Sequence, residues 1–157
     1  MKHLWAPWRL KYIKHVQETS CIFCEKTKER RDKRNLILDR GKLCFALLNL
    51  YPYNSGHFMV APYQHTGDLS DIPGETLLEM FELLEKVKKV IQKIYRPQGY
   101  NVGVNLGRVS GAGIVDHVHL HVVPRWNGDT NFMPVLAGTK VIPQALSETY
   151  DAIKKNL

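Results

Sequence analysis

Three histidines, His117, His119 and His121, stand at every second position in the apolar run "DHVHLHVVP". In an extended strand, alternate side chains share a face, so the three imidazoles line one side while Val118, Leu120 and Val122 point the other way. The apolar side can pack. An imidazole side is costly in a core, because every ring needs partners for both nitrogens. Two chemistries use such a face: three ligands for a catalytic metal, or a histidine nucleophile with helpers. A second ligand set bears on the choice. "CIFC" supplies Cys21 and Cys24 at C-x2-C spacing, and "APYQHTGDL" supplies His65. Those three lack one ligand of the four that zinc usually takes. If His117 is the fourth, a closed Cys2His2 structural site results and His119 and His121 are left for other work. Thiols at this spacing can also be redox-active or inert. Three cysteines, an odd and sparse set, argue against a disulfide framework.

A histidine face must be carried by a sheet, and the sequence offers one. "NLILDRGKLCFALLNLYP" reads as two strands joined at the turn-prone "DRGK", and "GHFMVAP" as a third closed by Pro62. "YNVGVNLG" is a fourth and "DHVHLHVVP" a fifth. Between them, "ETLLEMFELLEKVKKVIQKIY" spaces Leu77, Phe81, Leu84, Val87, Ile91 and Ile94 by threes and fours. That spacing predicts an amphipathic helix between Pro73 and Pro97. Pro143 opens a second helix with Leu146, Tyr150, Ile153 and Leu157 on one stripe. The expected class is α+β: an antiparallel sheet of about five strands, a long helix on one face and a C-terminal helix.

The chain has 157 residues, 44% hydrophobic and 24% charged, which suits one domain over residues 1–157. No signal-peptide pattern and no run of ~18 to 20 apolar residues is present, so a cytoplasmic protein without membrane contact is expected. The net charge of +7 is unevenly placed. Residues 1–42 hold twelve Lys/Arg against five Asp/Glu, while residues 43–157 hold ten of each. A field of that sign attracts phosphates, on nucleotides or on nucleic acid. The alternative is a solvated loop around "KTKERRDKRN". Trp5, Trp8 and Tyr12 among the cations suit single strands, so a basic zinc module that binds nucleic acid is a reading of another class. Against it stand a second histidine not needed for zinc and the glycine-rich "NLGRVSGAGIVDH", whose backbone N–H groups can wrap phosphate oxygens.

The run "HVHLHVV" resembles the signature of the histidine triad superfamily of nucleotide hydrolases and transferases. "FALLNLYPYNSGHFMVAP" is similar to the nucleoside-binding strand, turn and Gly-His segment of its Fhit-like branch. "LWAPWR", "CIFC" and "PRWNGDTNFMPV" resemble a bacterial subgroup that includes diadenosine tetraphosphate phosphorylases. The resemblance implies the histidine triad fold and a structural Zn2+ on Cys21, Cys24, His65 and His117. It implies that His119 attacks the α-phosphorus and forms a nucleotidyl-histidine, with its tautomer fixed by the His117 carbonyl. A neutral imidazole, with an ordinary pKa near ~6.5, suits that task. His121 would contact the phosphate and the leaving oxygen, and His57 would support it, a purely structural role being an equal alternative for His57.

The resemblance also places Asn49 on the ribose hydroxyls, Phe45 and Leu47 at the base, and Asn105 on phosphate. For Phe45 and Leu47, core packing is a competing explanation. Ser110, Gly111 and Gly113 belong to the phosphate loop. Here the sequence departs from the family: the loop is one residue longer than in Hint and Fhit, and Gly113 and Ile114 replace a hydroxyl or amide side chain before the triad. Trp126 would stack on a second base, or else make a core or dimer contact. A homodimer is implied. Histidine at the third triad position argues against a uridylyltransferase relative. The implied reaction is phosphorolysis of diadenosine tetraphosphate to ATP and ADP, with hydrolysis of dinucleoside polyphosphates or adenosine phosphoramidates as the alternative. Removal of adenylate from DNA ends would join the enzymatic and nucleic-acid readings.

Overall fold

A computed structural model describes residues 20–130 and 142–157. Five antiparallel strands form one sheet: β1 (Ile37–Arg40), β2 (Cys44–Leu48), β3 (Phe58–Pro62), β4 (Gly99–Val104) and β5 (Leu120–Arg125), in the order β1-β2-β3-β5-β4. All four pairings are antiparallel. β2 and β3 lie in the interior and are buried along their whole length, which explains their near-continuous apolar sequence.

Helices α1 (Ile22–Lys28) and α2 (Asp32–Asn35) precede the sheet, α3 (Gly74–Tyr95) joins β3 to β4, and α4 (Leu146–Lys154) follows the sheet. One face of the sheet, with Ala46, Leu48, Phe58, Val60, Leu120 and Val122, packs on Met80, Leu84, Val87 and Ile91 of α3. Tyr150 and Ile153 of α4 close the same core, and the Tyr150 hydroxyl donates to the Ile37 carbonyl at 3.2 Å. α3 ends where Arg96 turns left-handed (φ 48°), one residue before Pro97. The opposite face carries Phe45, Leu47, Met59 and Ala61, and α1 covers it through fully buried Phe23. No helix of the described residues is long and apolar enough to cross a membrane.

Three expectations need correction. Phe81, placed on the inward stripe of the long helix, is 52% exposed, and Met80 and Leu83 point inward in its stead. The stretch "KTKERRDKRN", for which a solvated loop is the alternative reading, holds the last turn of α1 and all of α2. They are tied down by Arg40, whose guanidinium donates to Asp32 and to the carbonyls of Thr27 and Glu29. Paired strand β5 begins at Leu120, so His117 and His119 lie just ahead of it. There the Val118 N–H bonds to the Thr66 carbonyl at 2.7 Å, outside the sheet ladder. Trp5, Trp8, Tyr12 and the "LWAPWR" motif lie outside the described residues.

Candidate active site

The open sheet face gathers four histidines in two functional pairs. His57 follows Gly56, whose positive φ of 73° lets the β2–β3 connection turn into β3. The Tyr53 backbone N–H donates to His57 Nδ1 at 3.0 Å. A backbone amide can only donate, so Nδ1 is bare and the ring proton sits on Nε2. Nε2 lies 3.0 Å from His121 Nδ1 and donates to it. His121 therefore carries its own proton on Nε2. Burial, with His121 and His119 nearby, pushes His57 down to about 3, so it stays neutral. Tyr53 stacks on His57, with centroids 5.0 Å apart and planes 16° from parallel.

His119 is oriented by a different partner. Its Nδ1 lies 2.8 Å from the His117 carbonyl, which requires a proton there and leaves Nε2 with a lone pair. The sequence reading of that tautomer matches this geometry. Burial lowers the His119 pKa, which favours the neutral ring that a nucleophile needs. His119 and His121 rings are 4.8 Å apart.

His117 turns the other way. Its Nε2 donates to the Pro62 carbonyl at 2.9 Å, and its Nδ1 lies 3.3 Å from Cys21 Sγ, 3.7 Å from Cys24 Sγ and 3.3 Å from His65 Nδ1. Cys24 Sγ is 3.5 Å from His65 Nδ1. Tetrahedral zinc, with bonds of ~2.0 to 2.1 Å to nitrogen and ~2.3 Å to sulfur, sets ligand edges of about 3.3 to 3.8 Å. These four edges fall in that range and all four ligand atoms lie within 4.8 Å of one another, so the group could hold a metal ion, and a carbonyl on the far nitrogen of a ligating ring is the usual outer support. Gly67, two residues after His65, lets that loop pass close to the segment before His117, since a Cβ there would meet the Val115 carbonyl at 2.8 Å. Cys44 takes no part in the cluster. It is buried against Glu79, and its thiol is pushed up to about 12.

Two hollows meet at His121. An apolar cavity of about 210 Å³ is lined by Ile22, Phe23, Leu47, Asn49, Gly111, Gly113 and Ile114, with His119 on its wall. A polar cleft of about 520 Å³ holds Asn54, Asn101, Asn105, Ser110 and Arg125. Tyr53 borders both. Of the residues assigned to substrate, Asn49, Leu47, Gly111 and Gly113 line the cavity, and Asn105 and Ser110 line the cleft. Phe45 does neither. It is fully buried beneath the face, edge-on to Phe23 and stacked on Tyr63. Trp126 lines neither hollow, and its indole N–H donates to the Tyr95 carbonyl at 3.1 Å. The Ser110 hydroxyl donates to the Gly107 carbonyl at 2.7 Å, so it braces the loop.

Sequence reasoning missed Ile22, Phe23 and Lys26, which α1 contributes to the cavity wall, and the cleft residues Asn101 and Arg125. The "CIFC" spacing held a signal for Phe23. Its ring packs on both His117 and His119, with centroids 5.0 Å from each, so the segment that presents the thiols also supports the His119 ring. Tyr53 acts through its backbone, which leaves no trace in residue type.

Residues 30–128 match the family described as the HIT domain. The chain belongs to the histidine triad family. It is 41% identical over 157 aligned residues to a Mycobacterium tuberculosis protein named AP-4-A phosphorylase, covering 95% of this chain and 80% of that one. It is 35% identical to an adenosine 5'-monophosphoramidase of Schizosaccharomyces pombe, over 69% of this chain and 76% of the relative. A crystal structure of a zinc-bound histidine triad family protein from Mycobacterium smegmatis superposes with a TM-score of 0.68 at 26% identity, covering 87% and 92% of the two chains. This histidine triad chain is thus α+β as expected, and it is a nucleotide-processing enzyme.

Proposed function

We propose that the protein cleaves dinucleoside polyphosphates, diadenosine tetraphosphate foremost, by transferring a nucleotidyl group through His119 to inorganic phosphate. The carrying observation is His119 itself: Nδ1 is held by the His117 carbonyl and the ring stands on the wall of the apolar cavity beside the cleft. In this reading the cavity takes the nucleoside, with Leu47 and Ile22 against the base. Asn49 meets the ribose; its side-chain carbonyl also accepts the Tyr51 N–H at 2.9 Å, which fixes the amide's direction. The Nε2 lone pair attacks the α-phosphorus, and the bond to the leaving phosphate oxygen breaks. His121, protonated on Nε2 because His57 occupies its Nδ1, donates to that oxygen. His57 and the Tyr53 amide hold the proton where the leaving group needs it. A second nucleophile then attacks the nucleotidyl-histidine and the P–N bond breaks.

Cys21, Cys24, His65 and His117 would hold one zinc, whose chemistry there is structural, because four protein ligands leave no open position. The site then fastens α1, and with it Ile22 and Phe23, onto the cavity. Similarity to a protein named a phosphorylase over nearly the full chain supports phosphate as the acceptor. Hydrolysis is the second reading, supported by similarity to a protein named a monophosphoramidase.

Incubation with diadenosine tetraphosphate, with and without inorganic phosphate, separates these outcomes. ATP plus ADP formed only with phosphate is the expected result. AMP plus ATP in both conditions assigns a hydrolase, and no turnover overturns the proposal.

A further inference from the structure

Among the described residues that wall the apolar cavity, Lys26 of α1 is the single lysine or arginine. A cation is out of place on such a wall, because an ammonium loses hydration wherever apolar side chains surround it. Burial pushes the Lys26 pKa down, and no carboxylate pairs with it among the described residues.

The side chain is nevertheless fixed. Lys26 Nζ donates to the Asn35 carbonyl at 3.2 Å, and Asn35 Nδ2 returns a bond to the Lys26 carbonyl at 3.3 Å. Asn35 is itself buried, and its amide also donates to Glu29 Oε2 at 3.1 Å. A lysine on a solvated face needs no such reciprocal pair. An ammonium has three N–H donors and no acceptor, so this one keeps two donors without a partner among the described residues.

Its mooring says which part of a nucleotide meets those donors. Along α1, Phe23 packs on His119, which takes the α-phosphorus, and Lys26 lies about one turn beyond Phe23. Asn35, which holds the ammonium, precedes Leu36, whose carbonyl accepts the Leu48 N–H at 2.9 Å. The ammonium is therefore tied beside the Leu48–Asn49 segment, at the nucleoside and not at the phosphates. Guanine presents two acceptors side by side, O6 and N7, whereas adenine presents N7 beside an amino group that is itself a donor. A group with donors alone matches the first edge and opposes the second.

We propose that Lys26 reads the base and opens the cavity to guanine, so that guanine dinucleoside polyphosphates are substrates alongside diadenosine tetraphosphate. The proposal rests on the nucleotidyl-transfer reading above. It adds a base to the substrate class and leaves the chemistry at His119 unchanged.

Lys26→Met keeps the apolar stem and removes the donors. With inorganic phosphate present, kcat/KM of the parent on diguanosine tetraphosphate is expected to lie within about threefold of that on diadenosine tetraphosphate, and the guanine-to-adenine ratio to fall about tenfold in the variant. Calorimetry makes the same comparison without turnover: GMP is expected to lose about tenfold in affinity relative to AMP in the variant. If Lys26→Met does not fold, the parent alone decides, because 7-deazaguanosine monophosphate lacks the N7 acceptor and is expected to bind about fivefold more weakly than GMP. Equal losses on both bases, as from a mere brace to Asn35 or a contact with ribose, overturn the base reading while leaving nucleotidyl transfer intact, and so does no loss on either. A parent that turns over neither dinucleotide overturns the underlying reading, and one that binds neither mononucleotide overturns both.

Discussion

His57 shows how a single buried side chain couples stability to pH. Its pKa is held at about 3, against 6.5 in the unfolded chain, so the native state binds fewer protons than the unfolded one between those values. The stability this contributes is complete above pH 6.5 and drains away as pH falls toward 3. A His57→Gln protein lacks the titrating group, whereas the Cys21, Cys24, His65 and His117 cluster is the same in both proteins and cancels in the comparison. Urea unfolding at pH 7 and pH 4 is expected to show the parent losing about 3 kcal/mol more than the variant across that interval. An identical loss in both would mean that His57 is not held neutral. At His119 the expectation concerns rate. His119→Ala should lower kcat by on the order of 10³-fold or more with little change in melting temperature, and trapping of a nucleotidyl-protein adduct by acid quench should fail.

Elements deliver these residues, and the β1–β2 turn shows how tightly one is specified. Glu79 of α3 accepts the Leu43 N–H at 2.9 Å and the Cys44 N–H at 3.3 Å, and a Cβ on Gly41 would sit 2.1 Å from the Glu79 carboxylate. Gly41→Ala is expected to expel that carboxylate, strand two amides and lower the melting temperature by about 5 °C, measurable by calorimetry. Helix α1 is tied by chemistry of another kind. Elemental analysis of protein purified without chelators is expected to give about one zinc per chain. Cys24→Ser should both lower the melting temperature and raise KM for nucleotide, because α1 carries Ile22 and Phe23 to the cavity. Zinc content and KM both unchanged would sink the coupling. The strands, α3 and the pairing of the C-x2-C segment with His65 and His117 in one cluster were legible in sequence because periodicity and residue spacing are local signals. Phe81 misled because Met80 and Leu83 offer an alternative apolar stripe one position away. The proton order along Tyr53, His57 and His121, the α1 wall and the Asn101–Arg125 pair arise from contacts between elements distant in the chain, and no local pattern encodes them.

At the scale of the molecule, the sheet divides labour between its faces. α3 and α4 bury one face as the main core, which frees the other to hold an apolar cavity and a polar cleft side by side across β2, β3, β5 and β4. The charge is arranged to match. The positive excess falls within residues 1–42, and α1, which lines the cavity with Lys26, leads into Arg30, Arg31 and Arg34. These three are exposed and none forms an ion pair among the described residues. A dinucleoside polyphosphate is a compact polyanion, so a field of this sign accelerates its capture, and salt weakens the field over a Debye length of about 10 Å at 0.1 M. For the parent enzyme, kcat/KM is expected to fall about tenfold as ionic strength rises from about 0.02 to 0.2 M. Replacing Arg30, Arg31 and Arg34 together by serine should flatten that slope, with parent and variant converging at high salt, where steering is screened for both. Equal slopes would place the steering charge elsewhere, whereas a gap that persists at high salt would mean that these arginines touch the bound substrate directly.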